Sequence, residues 1–369
     1  MSKLNLLEVC LSPSLGGLEL YMMYAAKALD KDFNVLSLVA EGRQLEPYFK
    51  DTSYTYISIK HKGDSSFSSA RKLAKIIDQN KIDIIHIHWT SDLLTTVMAL
   101  LMSKNKPKLV QSRHMNMTRF KDDIYHRYLY KKMDMILTVT AQLAEQVRKY
   151  IPESIRPKVQ TLYIGSQDVE VLDIDTIQAY KKEIGVTDEF VIGMVGRIEE
   201  AKGQYLLIEA VEKLKAEGKK VKVFFVGHVM QEEHLTTLKK LIKEKELEKE
   251  IVFLGFSKEV HRFMQACDVM VLATRCETFG LVLIEAMQVG TPVIASNKCG
   301  PLEIIDDAKS GLLFEMGQSS DLYEKIAYTI ENQDDLEAMA AEGQRRAETL
   351  FSSKKQFEKL SELLKGVVE

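Results

Sequence analysis

Short runs rich in Val, Ile and Leu alternate along the chain with longer stretches whose apolar residues recur every three or four positions. A parallel strand covered on both faces reads as a continuous apolar run, and its connecting helix reads with a period of 3.6. The alternation therefore predicts an α/β protein built on parallel sheets. In the first half it places strands at Leu4–Leu11, Asn34–Ala40, Tyr54–Ile59, Asp83–His88, Lys108–Gln111, Met135–Thr140 and Val159–Ile164. Ser68–Gln79 represents the helices between them, with Ala70, Leu73, Ile76 and Ile77 on one face. The second half repeats the rhythm at Val191–Val195, Val221–Val226, Ile251–Gly255, Val269–Thr274 and Pro292–Ser296. Two doubly wound units are expected in one chain.

The strand rhythm lapses over the acidic stretch Asp168–Thr176 and resumes at Phe190, which places a hinge between Ile164 and Glu189. Residues 1–167 form the expected N-terminal domain and 168–351 the C-terminal one. The tail, 352–369, carries Phe357, Leu360, Leu363 and Leu364 at helical spacing and is expected to dock back on the first domain. Both halves open with a strand, a glycine-bearing loop and a helix. Ser12–Gly17 precedes Leu18–Leu29, and Gly196-Arg197 with Lys202-Gly203 precedes Gln204–Ala216. That repeat is far longer than a solenoid period.

With 46% hydrophobic and 28% charged residues, the chain has the balance of a soluble globular enzyme. Its 50 basic and 53 acidic residues leave a net charge of -3, which excludes a chain-wide polyelectrolyte role on nucleic acid. No apolar run is long enough to span a membrane. Glu8 interrupts the first apolar stretch and no cleavage pattern follows, so a signal peptide is not expected. The four cysteines form no C-x-x-C pair, which indicates neither a disulfide framework nor a zinc site and suggests a reduced, cytoplasmic protein.

In open parallel sheets, ligands bind beyond the C-terminal strand ends, where helix N-termini present unpaired N–H groups. The residues at those ends are Gly16, Gly17, His88, Trp89, Arg113 and His114 in the first half. In the second they are Gly196, Arg197, Lys202, Gly227, His228, Phe256 and Glu277–Leu281. If the two sheets face each other, these residues line one cleft. The most informative stretch runs from Arg275 to Met287, following a strand and opening a helix. Gly280 would let a diphosphate approach the backbone, meeting the first-turn amides and the positive end of the dipole. Glu285, deeper in the helix, suits two ribose hydroxyls, and Glu277, before it, lies nearer the transferred group. Arg197 offers a planar fork and Lys202 a mobile charge for the same anion.

Glu277 and Glu285, with seven residues between them, follow a Gly-Arg…Lys-Gly loop, and Gly290-Thr291-Pro292 and Gly311-Leu312-Leu313-Phe314 come after. In these features the chain resembles the retaining glycosyltransferases of family 4, which have the GT-B fold. The resemblance is strong from Gly193 to Phe314. In the first half it rests on Gly16-Gly17-Leu18-Glu19, Ile84–Trp89 and His114. It implies two Rossmann-like domains facing across a cleft. The donor would be held by Gly16, Gly17, Gly196, Arg197, Lys202, Gly227, Phe256, Glu277, Thr278, Phe279, Gly280, Leu281 and Glu285. His114, Glu277, Arg197 and Lys202 would be catalytic, and His88, Trp89, Arg113 and Asn116 would lie on the acceptor side. The implied activity moves a hexose-type sugar from a nucleotide diphosphate to an acceptor hydroxyl, in surface polysaccharide, lipopolysaccharide or lipid-linked glycan synthesis. UDP-sugars are favoured over GDP-sugars, and no cofactor or metal is expected. A nucleotide-sugar epimerase or hydrolase of this fold, and a non-catalytic sugar-nucleotide-binding subunit, are the alternative readings. Three positions depart from the family pattern: Tyr163-Ile164-Gly165, His228-Val229-Met230 after Gly227, and Met115-Asn116 after His114.

His86 and His88 have the spacing of metal ligands on a strand, but no third ligand is spaced nearby, so a packing or cleft-lining role is expected. Asp173-Ile174-Asp175 falls in the hinge and is discounted as an ion-binding pair. Cys276 is expected to be a small filler. Arg113–Lys132 interleaves basic residues with Phe120, Tyr125, Tyr128 and Tyr130. It reads first as a solvated helix with one buried face, and second as a contact with a lipid-linked acceptor or with anionic headgroups at the inner face of the cell membrane.

Overall fold

In the first half, seven of the apolar runs form strands. These are β1 (Asn5–Cys10), β2 (Asn34–Ala40), β3 (Tyr56–Ile59), β4 (Ile84–Ile87), β5 (Lys108–Arg113), β6 (Met135–Thr138) and β7 (Lys158–Thr161). They pair in parallel in the order β3-β2-β1-β4-β5-β6-β7. The two-residue period of each strand divides its side chains between two layers of helix. Leu7, Val9, Leu38, Ile85, Ile87 and Leu109 pack with Leu73, Ile77 and Val97 on one face. On the other, Leu6, Ile84, Val110 and Leu137 meet Tyr21, Ala25 and Leu29, together with Phe357, Leu360 and Leu364.

The second half forms β8 (Phe190–Val195), β9 (Val221–Val226), β10 (Ile251–Gly255), β11 (Val269–Leu272), β12 (Val293–Ser296) and β13 (Leu312–Phe314). Their order is β10-β9-β8-β11-β12-β13, again parallel. β13 is not among the strands the sequence pattern predicts; at 3 residues it is too short to show one. Each sheet reverses its winding once, between β1 and β4 and between β8 and β11, and ligands of doubly wound sheets bind at such switch points.

This computed structural model describes every residue except 1, 2, 51, 53, 62, 64–66 and 168. Asp168, which opens the acidic stretch and the expected C-terminal domain, lies outside the described residues. The chain divides into two compact units, one of residues 1–165 with 353–369 and the other of residues 166–352. The C-terminal helix Ser353–Lys365 thus belongs to the first unit. It lays Phe357 against Tyr21, with ring centroids 5.6 Å apart, and Ser361 and Lys365 each reach Asp32 at 2.9 Å. No helix among the described residues is long and apolar enough to cross a membrane.

Candidate active site

In the second unit, the parallel strands deliver their connecting loops to one sheet edge, and short hydrogen bonds tie those loops together. The Gly196 amide donates to Val226 O at 2.9 Å, Gly227 to Gly255 O at 2.8 Å and Ile198 to His228 O at 2.8 Å. Gly227 has a φ of +150°, and a Cβ there would sit 1.9 Å from the Gly196 carbonyl oxygen, so no other residue fits. The His228 and Phe256 rings stack nearly parallel, centroids 4.2 Å apart, and Phe256 remains exposed.

Lys202 and Glu277 come from different loops and meet as an ion pair, Nζ to Oε2 2.5 Å. The loops that carry them are joined as well. The Arg275 amide and the Thr274 hydroxyl both donate to Ala201 O, at 2.9 and 3.2 Å. Arg197 is mostly exposed and pairs with Glu199 at 2.9 Å, while its carbonyl accepts from the Gln204 amide. The helix Leu281–Gln288 starts at Gly280, whose φ of +107° lies in a region that favours glycine. Phe279 is buried against Phe351, so what it can offer an anion is its backbone amide. Glu285 lies one turn into the helix, and partial burial pushes its carboxyl pKa up to about 7.

One expectation is overturned here. Cys276 is not a filler: it forms a disulfide with Cys299, across a separation of 23 residues. The bond joins the loop after β11 to the loop after β12, two strands adjacent in the sheet but far apart in sequence. Cys10 and Cys267 are free and buried.

The first unit gathers a second group of side chains. Glu8 on β1 lies opposite His86 on β4, and both are fully buried. The carboxylate accepts from His86 Nδ1 at 3.1 Å and from His88 Nε2 at 2.5 Å, and His86 Nε2 contacts the Ser112 hydroxyl at 2.8 Å. Two histidines that show no third partner along the sequence thus acquire one from the neighbouring strand. The three groups form a buried ladder, in which His88 Nδ1 alone is left without a partner among the described residues. Burial alone would raise the Glu8 pKa, but the two imidazoles outweigh it and bring it to about 2. Burial, reinforced by His86, lowers His88 to about 4.

His114 packs edge-on against Tyr21 at 5.0 Å and parallel to His88 at 6.1 Å between ring centroids. Its pKa is held well below the ordinary histidine value, by burial first and then by His88 and His86, so the ring is neutral. Its Nε2 has no hydrogen-bond partner among the described residues. Arg113 is buried. Its Nη2 donates to Asn116 O at 3.3 Å, while Nε and Nη1 have no partner among the described residues. Trp89 is half-buried beside Met22 and Phe49. Gly16 and Gly17 lie where the helix Gly17–Leu29 begins.

Gly16, Gly17, His88, Trp89, Arg113, His114 and Asn116 therefore lie in the first unit. Gly196, Arg197, Lys202, Gly227, Phe256, Glu277–Leu281 and Glu285 lie in the second. Sequence reasoning missed the Glu8 anchor and the disulfide. The polar Glu8 inside an apolar strand was the available signal for the former.

Two Rossmann-like parallel-sheet units in one chain are the architecture of the GT-B fold. Solved structures share the fold along the whole chain. A glycosyltransferase from Rickettsia africae superposes with a TM-score of 0.90 at 20% identity, covering 100% of both chains. Anabaena HepE in complex with UDP does so at 0.83 and 20% identity, covering 99% and 100%. Residues 15–165 match the family described as Glycosyltransferase Family 4, and residues 176–346 that described as Glycosyl transferases group 1. The Staphylococcus aureus capsular polysaccharide biosynthesis glycosyltransferase CapM is 25% identical over 345 residues, 90% of each chain. A Bacillus anthracis N-acetyl-α-D-glucosaminyl L-malate synthase is 24% identical over 296 residues, 78% of this chain and 75% of that one. The chain belongs to the family 4 glycosyltransferases and is a transferase enzyme.

Proposed function

We propose that this enzyme transfers a hexose-type sugar from a UDP-sugar to an acceptor hydroxyl, with retention of anomeric configuration and without a metal or cofactor. Its product would be a surface polysaccharide, a lipopolysaccharide or a lipid-linked glycan. The observation that carries the reading is the Lys202–Glu277 pair beside the helix that starts at Gly280. Lys202 and Glu277 hold each other. An arriving diphosphate would take Lys202, and the released Glu277 carboxylate would be free to accept hydroxyls of the sugar. Arg197 and the first-turn amides of Phe279–Leu281 would share the diphosphate charge, and Glu285 the ribose. Charge on the leaving diphosphate grows as the glycosidic bond breaks, so donors already aimed at it lower the barrier directly. His114, neutral and with a ring nitrogen unpartnered among the described residues, suits a hydrogen bond near the reacting sugar. The relatives' names support the polysaccharide context, and the HepE complex supports UDP.

Incubating the enzyme with UDP-, GDP- and ADP-sugars and an acceptor mixture tests this. Transfer from a UDP-sugar that persists in excess chelator, with the product anomer matching the donor, is expected. Inverted product, or turnover with GDP-sugars alone, would refute it. The acceptor side includes a surface where Phe120, Ile124, Tyr125 and Tyr128 are exposed among Arg119, Arg127, Lys131 and Lys132. We propose that it rests on anionic headgroups, the apolar side chains entering the interface and the cations meeting the phosphates.

A further inference from the structure

The Cys276–Cys299 bond brackets Glu277. The Glu277 backbone pairs with Cys299 as an isolated parallel bridge, and the Gly300 amide donates to Glu277 O at 2.8 Å. Gly300 lies so close to Phe279 that a Cβ on it would be 2.1 Å from the Phe279 carbonyl oxygen. The disulfide therefore ties the Glu-bearing loop to the segment that supports it from below. Cys299 is held at a φ of +62°, a left-handed conformation that costs energy for any residue with a side chain. Cys276 is exposed and Cys299 buried, so one sulfur of the bond is open to attack from solvent.

We infer that the Cys276–Cys299 disulfide is a positioning element of the donor site, and that the protein binds a nucleoside diphosphate more tightly with the bond closed than with it open. The inference rests on the donor-site reading above. With the bond closed, the covalent link holds Cys299 left-handed, which keeps the Gly300 amide on the Glu277 carbonyl and Gly300 packed against Phe279, where the amides that would meet the diphosphate begin. With it open, Cys299 is free to relax toward extended backbone, the amide leaves and the Glu277 loop loosens. Opening needs a dithiol reductant. One of its thiolates attacks Cys276 Sγ, the sulfur–sulfur bond breaks, and the electron pair leaves on Cys299 Sγ, which takes a proton. The second thiol then displaces Cys276, which leaves as a thiol, and the reductant departs as its own disulfide. Two electrons and two protons have passed to the protein.

The test uses the full chain purified without reductant and divided into untreated and dithiothreitol-treated halves. Alkylation and peptide mass spectrometry report the state of Cys276 and Cys299. UDP affinity is measured by calorimetry, and amide hydrogen exchange over 275–281 and 297–304 by mass spectrometry without nucleotide. Reduction is expected to weaken UDP about five- to tenfold, the effect of releasing one strained backbone conformation. It should also speed exchange in both segments. Cys276→Ser should match the reduced protein under both conditions. Cys299→Gly should bind more tightly than Cys276→Ser under both, because glycine adopts the left-handed conformation at no steric cost and is not driven away from it when the link is absent. Equal affinity of the two halves with their redox states verified would overturn the inference, as would Cys299→Gly binding as weakly as Cys276→Ser. Free thiols at both positions that do not bond under oxidised glutathione would overturn it too. If neither half binds UDP but exchange still rises on reduction, the clamp stands and the donor-site reading falls.

Discussion

Glu285 lends itself to a quantitative experiment, because its carboxyl is held at about 7 by burial while its proposed role needs the ionised form. Ribose hydroxyls donate hydrogen bonds to a carboxylate, so binding selects the deprotonated side chain. With a pKa of about 7, roughly nine-tenths of the free protein is ready at pH 8 and about one-tenth at pH 6. Affinity should therefore fall about tenfold between pH 8 and pH 6, or about 1.4 kcal/mol. UDP-glucose is the right probe, since both of its phosphates are esterified and stay ionised across this range, whereas the terminal phosphate of UDP titrates within it. Calorimetry at pH 7 in buffers of different ionisation enthalpy should register the release of about half a proton per ligand bound. Glu285→Gln should bind about tenfold more weakly at pH 8, the loss of hydrogen bonds to a charged acceptor, and should show no proton release. Proton release surviving in Glu285→Gln, or affinity level from pH 6 to 8 in the unmodified protein, would refute the assignment. Folding should respond in the opposite sense. A carboxyl whose pKa is raised from 4.5 to about 7 binds its proton more tightly folded than unfolded, so the ligand-free protein loses stability as pH rises through that window, by about 3 kcal/mol at most.

Lys202→Ala should lower transfer about 10²–10³-fold with its circular dichroism spectrum unchanged, and turnover within a factor of three of the parent would remove Lys202 from the diphosphate site. Glu8→Gln keeps the shape of the buried ladder but sets an amide donor against two imidazole donors. A urea titration should show a loss of about 3 kcal/mol, and a midpoint unmoved at constant slope would contradict the ladder. Ile124→Glu, at a position 89% exposed, should reduce co-sedimentation with anionic vesicles and leave neutral vesicles unaffected; equal sedimentation would end the membrane reading.

The sheets were legible because central parallel strands, buried on both faces, leave apolar runs such as Val191–Val195 and Val221–Val226, and the rhythm they set places the mixed edge strands as well. β13, with three residues, is too short to show it. The strand, turn and helix start that carry Glu277 and Glu285 were legible because they follow one another directly from Val269 to Glu285. What depends on sheet order was not. Glu8 meets His86 only because β4 lies beside β1, and Cys276 meets Cys299 only because β12 lies beside β11. Spacing along the chain carries no record of either adjacency. The Lys202–Glu277 pair is intermediate: both residues stand out at strand ends in the sequence, but their contact with each other depends on the loops being tied through Ala201.

The course of the chain has a practical consequence for building hybrids. Residues 166–352 are inserted into the first unit, which closes again with its final helix. The two ends of the insert lie side by side, Ser166 bridging Ser352 and its amide donating to Phe351 O at 2.9 Å. A graft that exchanges everything after residue 165 would strip Phe357, Leu360 and Leu364 from their host and replace them with a stranger's helix. Cutting at both seams instead lifts the second unit out as a cassette with matched ends, ready to be spliced into a homologue.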